Sequence, residues 1–286
     1  MKGPIGIFDS GYGGLTVFKE IEKQLPEFDY IYLGDNARTP YGTRSLEKVY
    51  EFTLEGVRYL FEQGCNLVIL ACNTASANAL RTIQRKNLAS FGPQKRVLGV
   101  IRPTTERLSE FSHSGHIGLC GTTATVNSGS YVIEAQKYAP DIQVHQQACP
   151  LWVPMVENDE IGSEAAHLIT QKYLSELLGQ HPDIDAVLLA CTHYPLMYAT
   201  IKAHLPEGIT LISQGELVAH SLRDYLSRHP EMEALCSKGG SRIFLTTDSP
   251  ESFERLGENY YSAPVHSQRV DIEAKKNPHR SGEDLN

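Results

Sequence analysis

Apolar positions along this chain follow two alternating patterns. Runs of strand length recur at Ile5–Phe8, Tyr30–Leu33, Leu67–Ala71, Val97–Val100, His116–Leu119, Ile142–Gln147, Ala186–Ala190, Ile209–Ile212, Arg242–Leu245 and Val265–Val270. Between them lie amphipathic stretches of helical period. In Leu15–Leu25 the apolar positions are 15, 18, 21 and 25, and Leu46–Phe61, Ser163–Leu178 and Glu216–Leu226 read the same way. Strand–helix alternation predicts an α/β protein, its mainly parallel sheets flanked by helices. Such sheets place ligands at the carboxyl ends of their strands.

Two segments are written twice. Ile5-Gly6-Ile7-Phe8-Asp9-Ser10 matches Ile117-Gly118-Leu119-Cys120-Gly121-Thr122, an offset of 117 − 5 = 112 residues. Leu70-Ala71-Cys72-Asn73-Thr74 matches Leu189-Ala190-Cys191-Thr192-His193, an offset of 191 − 72 = 119. The repetition predicts two similar domains around a pseudo-twofold axis, with the site between them. The expected first domain is 1–98 plus 208–270, holding Asp9 and Cys72, and the second is 99–207, holding Cys191 and His193. Residues 271–286 are polar and aperiodic and are expected to form a disordered tail.

Composition narrows the function. The chain has 286 residues, 41% of them hydrophobic and 21% charged, as in ordinary globular proteins. A net charge of −8 argues against a nucleic-acid surface, so an anionic ligand would need local N–H groups and hydroxyls. No apolar stretch approaches the roughly 20 residues of a membrane span. Met1–Gly6 runs directly into the first strand pattern, so no signal peptide is expected. Six cysteines, at 65, 72, 120, 149, 191 and 236, are too few for a disulfide framework here and indicate a reducing, cytoplasmic setting.

The candidate chemistry sits at the repeated cysteines. Cys72 and Cys191 each end an apolar run and precede a helix-like stretch, whose N-terminus favours a thiolate. A free thiol, with a pKa of about 8.5, needs such help near neutrality. Asp9 ends the first strand of one half, and His193 follows Cys191 by two residues. Two thiols on opposite sides of one carbon are suited to racemisation: one removes a proton and the other delivers one. Asn73, Thr74 and Thr192 are helix-cap residue types that also suit gripping a carboxylate. Ser10-Gly11-Tyr12-Gly13-Gly14 is a turn that admits a ligand to backbone, but Thr16 stands where a dinucleotide fingerprint needs glycine. A zinc site from Cys72, Cys191 and His193, a cysteine hydrolase using Cys191 and His193, and a non-catalytic dicarboxylate binder remain alternatives. His113, His167 and His220 read as surface or helix-face residues.

With these motifs the chain resembles glutamate racemase, of the aspartate/glutamate racemase superfamily. The resemblance rests on Phe8-Asp9-Ser10-Gly11 with Gly13-Gly14, the Gly34-Asp35 to Pro40-Tyr41-Gly42 loop, Ala71-Cys72-Asn73-Thr74, Gly121-Thr122 with Thr125, and Cys191-Thr192-His193-Tyr194-Pro195. It implies a cofactor-independent, metal-free enzyme that interconverts L- and D-glutamate for peptidoglycan synthesis, as a homodimer. On that pattern Cys72, helped by Asp9, acts on D-glutamate, and Cys191, helped by His193, acts on L-glutamate. Glu157 matches an acid near the second thiol. Ser10, Tyr41, Gly42, Asn73, Thr74, Thr122, Thr125 and Thr192 match substrate-binding positions. An aspartate or other dicarboxylate racemase on the same scaffold is the closest alternative.

Overall fold

The computed structural model describes residues 1–273. Among them are ten strands: β1 (Ile5–Asp9), β2 (Tyr30–Gly34), β3 (Leu67–Leu70), β4 (Arg96–Gly99), β5 (His116–Gly121), β6 (Gln143–Ala148), β7 (Ala186–Ala190), β8 (Thr210–Ile212), β9 (Arg242–Thr246) and β10 (Ser267–Arg269). All pair in parallel, in a six-stranded sheet of order β10-β9-β2-β1-β3-β4 and a four-stranded sheet of order β6-β5-β7-β8. Each apolar run of the sequence therefore became a strand.

The internal repeat is reproduced in the topology. The order β2-β1-β3-β4 recurs as β6-β5-β7-β8, and β9 and β10 extend only the first sheet. Register agrees as well. Ile5 pairs with Leu67 across β1 and β3, and Ile117 pairs with Ala186 across β5 and β7. Those pairs are related by the same offsets, 117 − 5 = 112 and 186 − 67 = 119, that relate the repeated segments.

Helices cover both faces. Ser45 caps the helix Leu46–Glu62 by accepting the Lys48 N–H, and Ser163 caps Glu164–Leu178 by accepting that of Ala166. β1, β2 and β3 are buried along their whole length, which is why they read as continuous apolar runs. One apolar core crosses between the sheets, from Ile5, Phe18 and Tyr32 through Val218 and Leu222 to Leu189 and Trp152. Each fully buried aliphatic or aromatic side chain contributes about 1.5–3 kcal/mol, so the halves are joined by packing as well as by chain.

Two expectations need correction. The return to the first sheet comes later than residue 208, because Thr210–Ile212 pairs with β7 in the four-stranded sheet. Pro206–Gly208 is the turn into that strand, with Gly208 at φ 89°, and not the linker between sheets. The tail does not begin at 271, since Ile272 is buried in the core on which Val270 also packs. Residues 274–286 lie outside the described residues, as does that part of the expected tail.

Candidate active site

Parallel pairing gathers the chemistry by aligning the carboxyl ends of the strands. β1 delivers Asp9 and Ser10, and its neighbour β3 delivers Cys72. β5 delivers Thr122 and Thr125, and its neighbour β7 delivers Cys191, Thr192 and His193. All of these side chains are buried.

Cys72 is the N-cap of the short helix Asn73–Asn78, and the Ala75 N–H points at its sulfur at 3.4 Å. The Ser10 hydroxyl lies 3.5 Å from the same sulfur. Burial first, and the Asp9 charge second, push the thiol up to about 12, against the pull of Ser10 and the Ala75 N–H. A charge on Cys191 adds a smaller contribution to the rise. Burial also raises the Asp9 carboxyl, while His193 and the N–H groups of Gly14 and Gly11 oppose the rise. Asp9 Oδ2 accepts from the Gly11 N–H at 2.9 Å, and Oδ1 is buried without a partner.

The second half is charged differently. Burial disfavours the imidazolium of His193, but the Cys191 sulfur and the Glu157 carboxylate outweigh it and lift His193 to about 10. Glu157 ends the helix Trp152–Glu157 and places Oε1 3.0 Å from His193 Nε2. The Tyr260 ring packs edge-on against the imidazole, at 5.4 Å and 80°. A negative charge on the Cys191 sulfur and the Glu157 carboxylate thus favour the protonated imidazole.

Contacts between the halves close the site. Thr74 Oγ1 lies 3.0 Å from Thr122 Oγ1 and 3.4 Å from Thr125 Oγ1, a hydroxyl triangle drawn from both sheets. Thr16 donates to the Thr192 carbonyl at 3.0 Å. A Cβ on Gly42 would lie 2.9 Å from that of Thr122, so that loop meets the second half through bare backbone.

The structure thus brings these expected residues to the strand ends, and it gives Tyr41 a partner of its own. The Tyr41 hydroxyl donates to Asp35 Oδ2 at 2.5 Å, and that carboxylate also takes the Arg38 guanidinium at 2.8 Å. Tyr41 braces its loop, and Gly42 beside it reaches the other half. Sequence reasoning missed the partners of Asn73. Its Nδ2 donates to Gln214 Oε1 at 2.7 Å, and its Oδ1 accepts from the Tyr131 hydroxyl. Gln214 also donates to Thr104 at 2.9 Å. Gln214 follows the carboxyl end of β8, a signal that was available, whereas Tyr131 lies within a helix and carries none.

Comparison with known proteins gives the family. Residues 5–222 match the family model described as Asp/Glu/Hydantoin racemase. The chain belongs to that family. A glutamate racemase from Geobacter metallireducens is 38% identical over 273 residues, which are 95% of this chain and 98% of that protein. A crystal structure of a glutamate racemase isoform from Bacillus anthracis superposes with a TM-score of 0.84 at 34% identity, covering 94% of this chain and 97% of that one. That of the glutamate racemase from Francisella tularensis, in complex with D-glutamate, gives 0.83 at 31% identity, covering 95% and 98%. Within this racemase family the chain matches these relatives over nearly their whole length.

Proposed function

We propose that this chain is a glutamate racemase, acting in the cytoplasm as a homodimer to supply D-glutamate for peptidoglycan. The observation that carries the reading is the equivalent placement of Cys72 and Cys191. Each follows the carboxyl end of the strand next to the first strand of its sheet, β3 beside β1 and β7 beside β5. The end-to-end similarity to glutamate racemases supports glutamate over other dicarboxylates.

In the mechanism, one sulfur is a thiolate and the other a thiol. With L-glutamate, Cys191 takes the α-proton: the Cα–H bond breaks, an S–H bond forms, and the electron pair stays on the α-carbon and its carboxylate. The Cys72 S–H then delivers its proton to the opposite face, giving D-glutamate and a Cys72 thiolate. The reverse reaction starts from that state. His193, cationic and held by Glu157, is the counter-charge for the sulfur anion at Cys191. Asp9 assists Cys72, and its unpartnered Oδ1 is placed to take the substrate ammonium. Asn73, Thr74, Thr122, Thr125 and Thr192 hold the carboxylates, with Ser10 beside the reacting sulfur. These donors are fixed before substrate arrives, which is the condition for stabilising the carbanion-like transition state.

The test is uptake of solvent deuterium at the α-carbon, followed from L-glutamate and D-glutamate separately, with L-aspartate as a third substrate. Exchange with inversion of glutamate is expected. Faster inversion of aspartate would transfer the assignment to that substrate, and no exchange would leave a binding protein.

A further inference from the structure

The edge of the second sheet remote from the thiols carries a histidine cluster that the reaction does not use. His116 opens β5, His145 lies on the edge strand β6, and His181 lies between the helix Glu164–Leu178 and β7. One ring nitrogen from each falls within 4.8 Å of the other two, and all three side chains are half-buried. His116 Nδ1 stands 3.1 Å from His145 Nε2. The rings of His116 and His181 lie face to face, 3.7 Å apart and 8° from parallel.

We propose that His116, His145 and His181 form a binding site for a divalent transition metal ion of the zinc type. Three imidazoles plus a water complete a tetrahedral zinc shell. Imidazole nitrogens also select such ions over the hard cations magnesium and calcium. The required adjustment is small. Ligand nitrogens around tetrahedral zinc stand about 3.4 Å apart, given bonds of about 2.0–2.1 Å. His116 and His145 already stand at 3.1 Å, close to that spacing, and the remaining separations are at most 4.8 Å.

The backbone around the cluster is already held. His116 and His145 sit on paired strands, where Gly118 is opposite His145. Gln180 Nε2 donates to the Gln146 carbonyl at 3.1 Å, which fastens the segment next to His181 onto the edge strand. The Asp183 carboxylate lies 3.9 Å from His181 Nδ1. His181 Nδ1 also accepts the Asp183 backbone N–H at 3.3 Å, which holds the ring against its own loop. β5 runs from His116 to Gly121, and His145 pairs with Gly118, so the cluster lies about 10–17 Å from the thiol end of the strand. The ion would therefore clamp the edge strand and the loop before β7, and take no part in proton transfer.

The test uses the full chain stripped of metal with a chelator. Zinc chloride titrated in a calorimeter should bind at one equivalent per chain and raise the melting temperature. Cobalt(II) should give ligand-field absorption without sulfur-to-cobalt charge transfer, which separates this site from Cys72 and Cys191. His145→Gln and His181→Gln should each weaken binding by more than about tenfold. Neither change should alter racemisation or the melting temperature of the metal-free protein. Absence of binding, affinity unchanged in both variants, or a cobalt spectrum dominated by sulfur charge transfer would each overturn the assignment. His181→Gln lies outside the sheet and keeps the test open if His145→Gln folds poorly.

Discussion

Gly13 faces Thr192 so closely that a Cβ on the glycine would stand 2.2 Å from Thr192 Oγ1 and 2.6 Å from His193 Nδ1. The first turn of one half thus rests directly on the strand end of the other that carries Thr192 and His193. Gly13→Ala must displace Thr192 and His193, at a cost of about 1–3 kcal/mol for overpacking a buried site. A lower urea midpoint and a fall of at least about tenfold in kcat/KM are expected, measurable by chemical denaturation and a coupled assay.

The proposed mechanism uses each thiol in both directions. Cys72→Ser and Cys191→Ser should each abolish racemisation and leave the circular dichroism spectrum unchanged. An equimolar mixture should remain inactive, since both sulfurs come from one chain. Recovery of activity on mixing would show a cleft shared between chains.

Glu157 should act through His193. Burial works against the imidazolium, and the Cys191 sulfur and Glu157 together hold His193 at about 10. Glu157→Gln removes the negative charge while keeping a hydrogen-bonding side chain, so His193 will lose its proton at lower pH. The alkaline limb of the kcat profile for L-glutamate should move downward in pH. An unmoved limb would show that Glu157 only supports the fold.

Stability should decline toward alkaline pH. His193 is raised from 6.5 to about 10, and Cys65, Cys72 and Cys236 from 9.0 to about 12. Raised groups keep their protons in the folded chain after the unfolded chain has released them, so stability falls with pH. The contribution of His193 is whole below about 6.5 and lost by about 10, and the thiols extend the loss from about 9 to about 12. Urea midpoints at successive pH values between neutrality and pH 10 should decrease steadily.

Gln214 anchors the buried polar group behind Asn73, through contacts to Asn73, Thr104 and Tyr131. Gln214→Ala strands these partners in a buried setting, where each unsatisfied group costs about 1–3 kcal/mol. A lower melting temperature and a raised KM for glutamate are expected, read by calorimetry and steady-state kinetics.

Much of this was legible in the chain because strand position and side-chain chemistry are both local. Asp9, Cys72, Thr122 and Cys191 close or follow apolar runs, and parallel pairing carries such positions to one end of a sheet. The repeat offsets even carried the register, as Ile5–Leu67 and Ile117–Ala186 show. What stayed hidden depends on packing. The Pro206–Gly208 turn looks like a linker, and only the pairing of β8 with β7 shows otherwise. The resemblance implies a binding role for Tyr41 but gives no sign that its hydroxyl is directed to Asp35. His116, His145 and His181 are scattered in sequence and become neighbours only when β6 joins β5 and the following helix returns to β7.

The duplicated β2-β1-β3-β4 order has produced halves alike in architecture and unlike in charge, with a carboxyl group beside one sulfur and an imidazolium beside the other. Mirror-image substrates have equal free energies, so the interconversion has an equilibrium constant of one and kcat/KM must be identical for the two enantiomers. Any inequality between the halves can surface only as matched differences in kcat and KM, with the faster direction also being the one that binds its substrate more loosely.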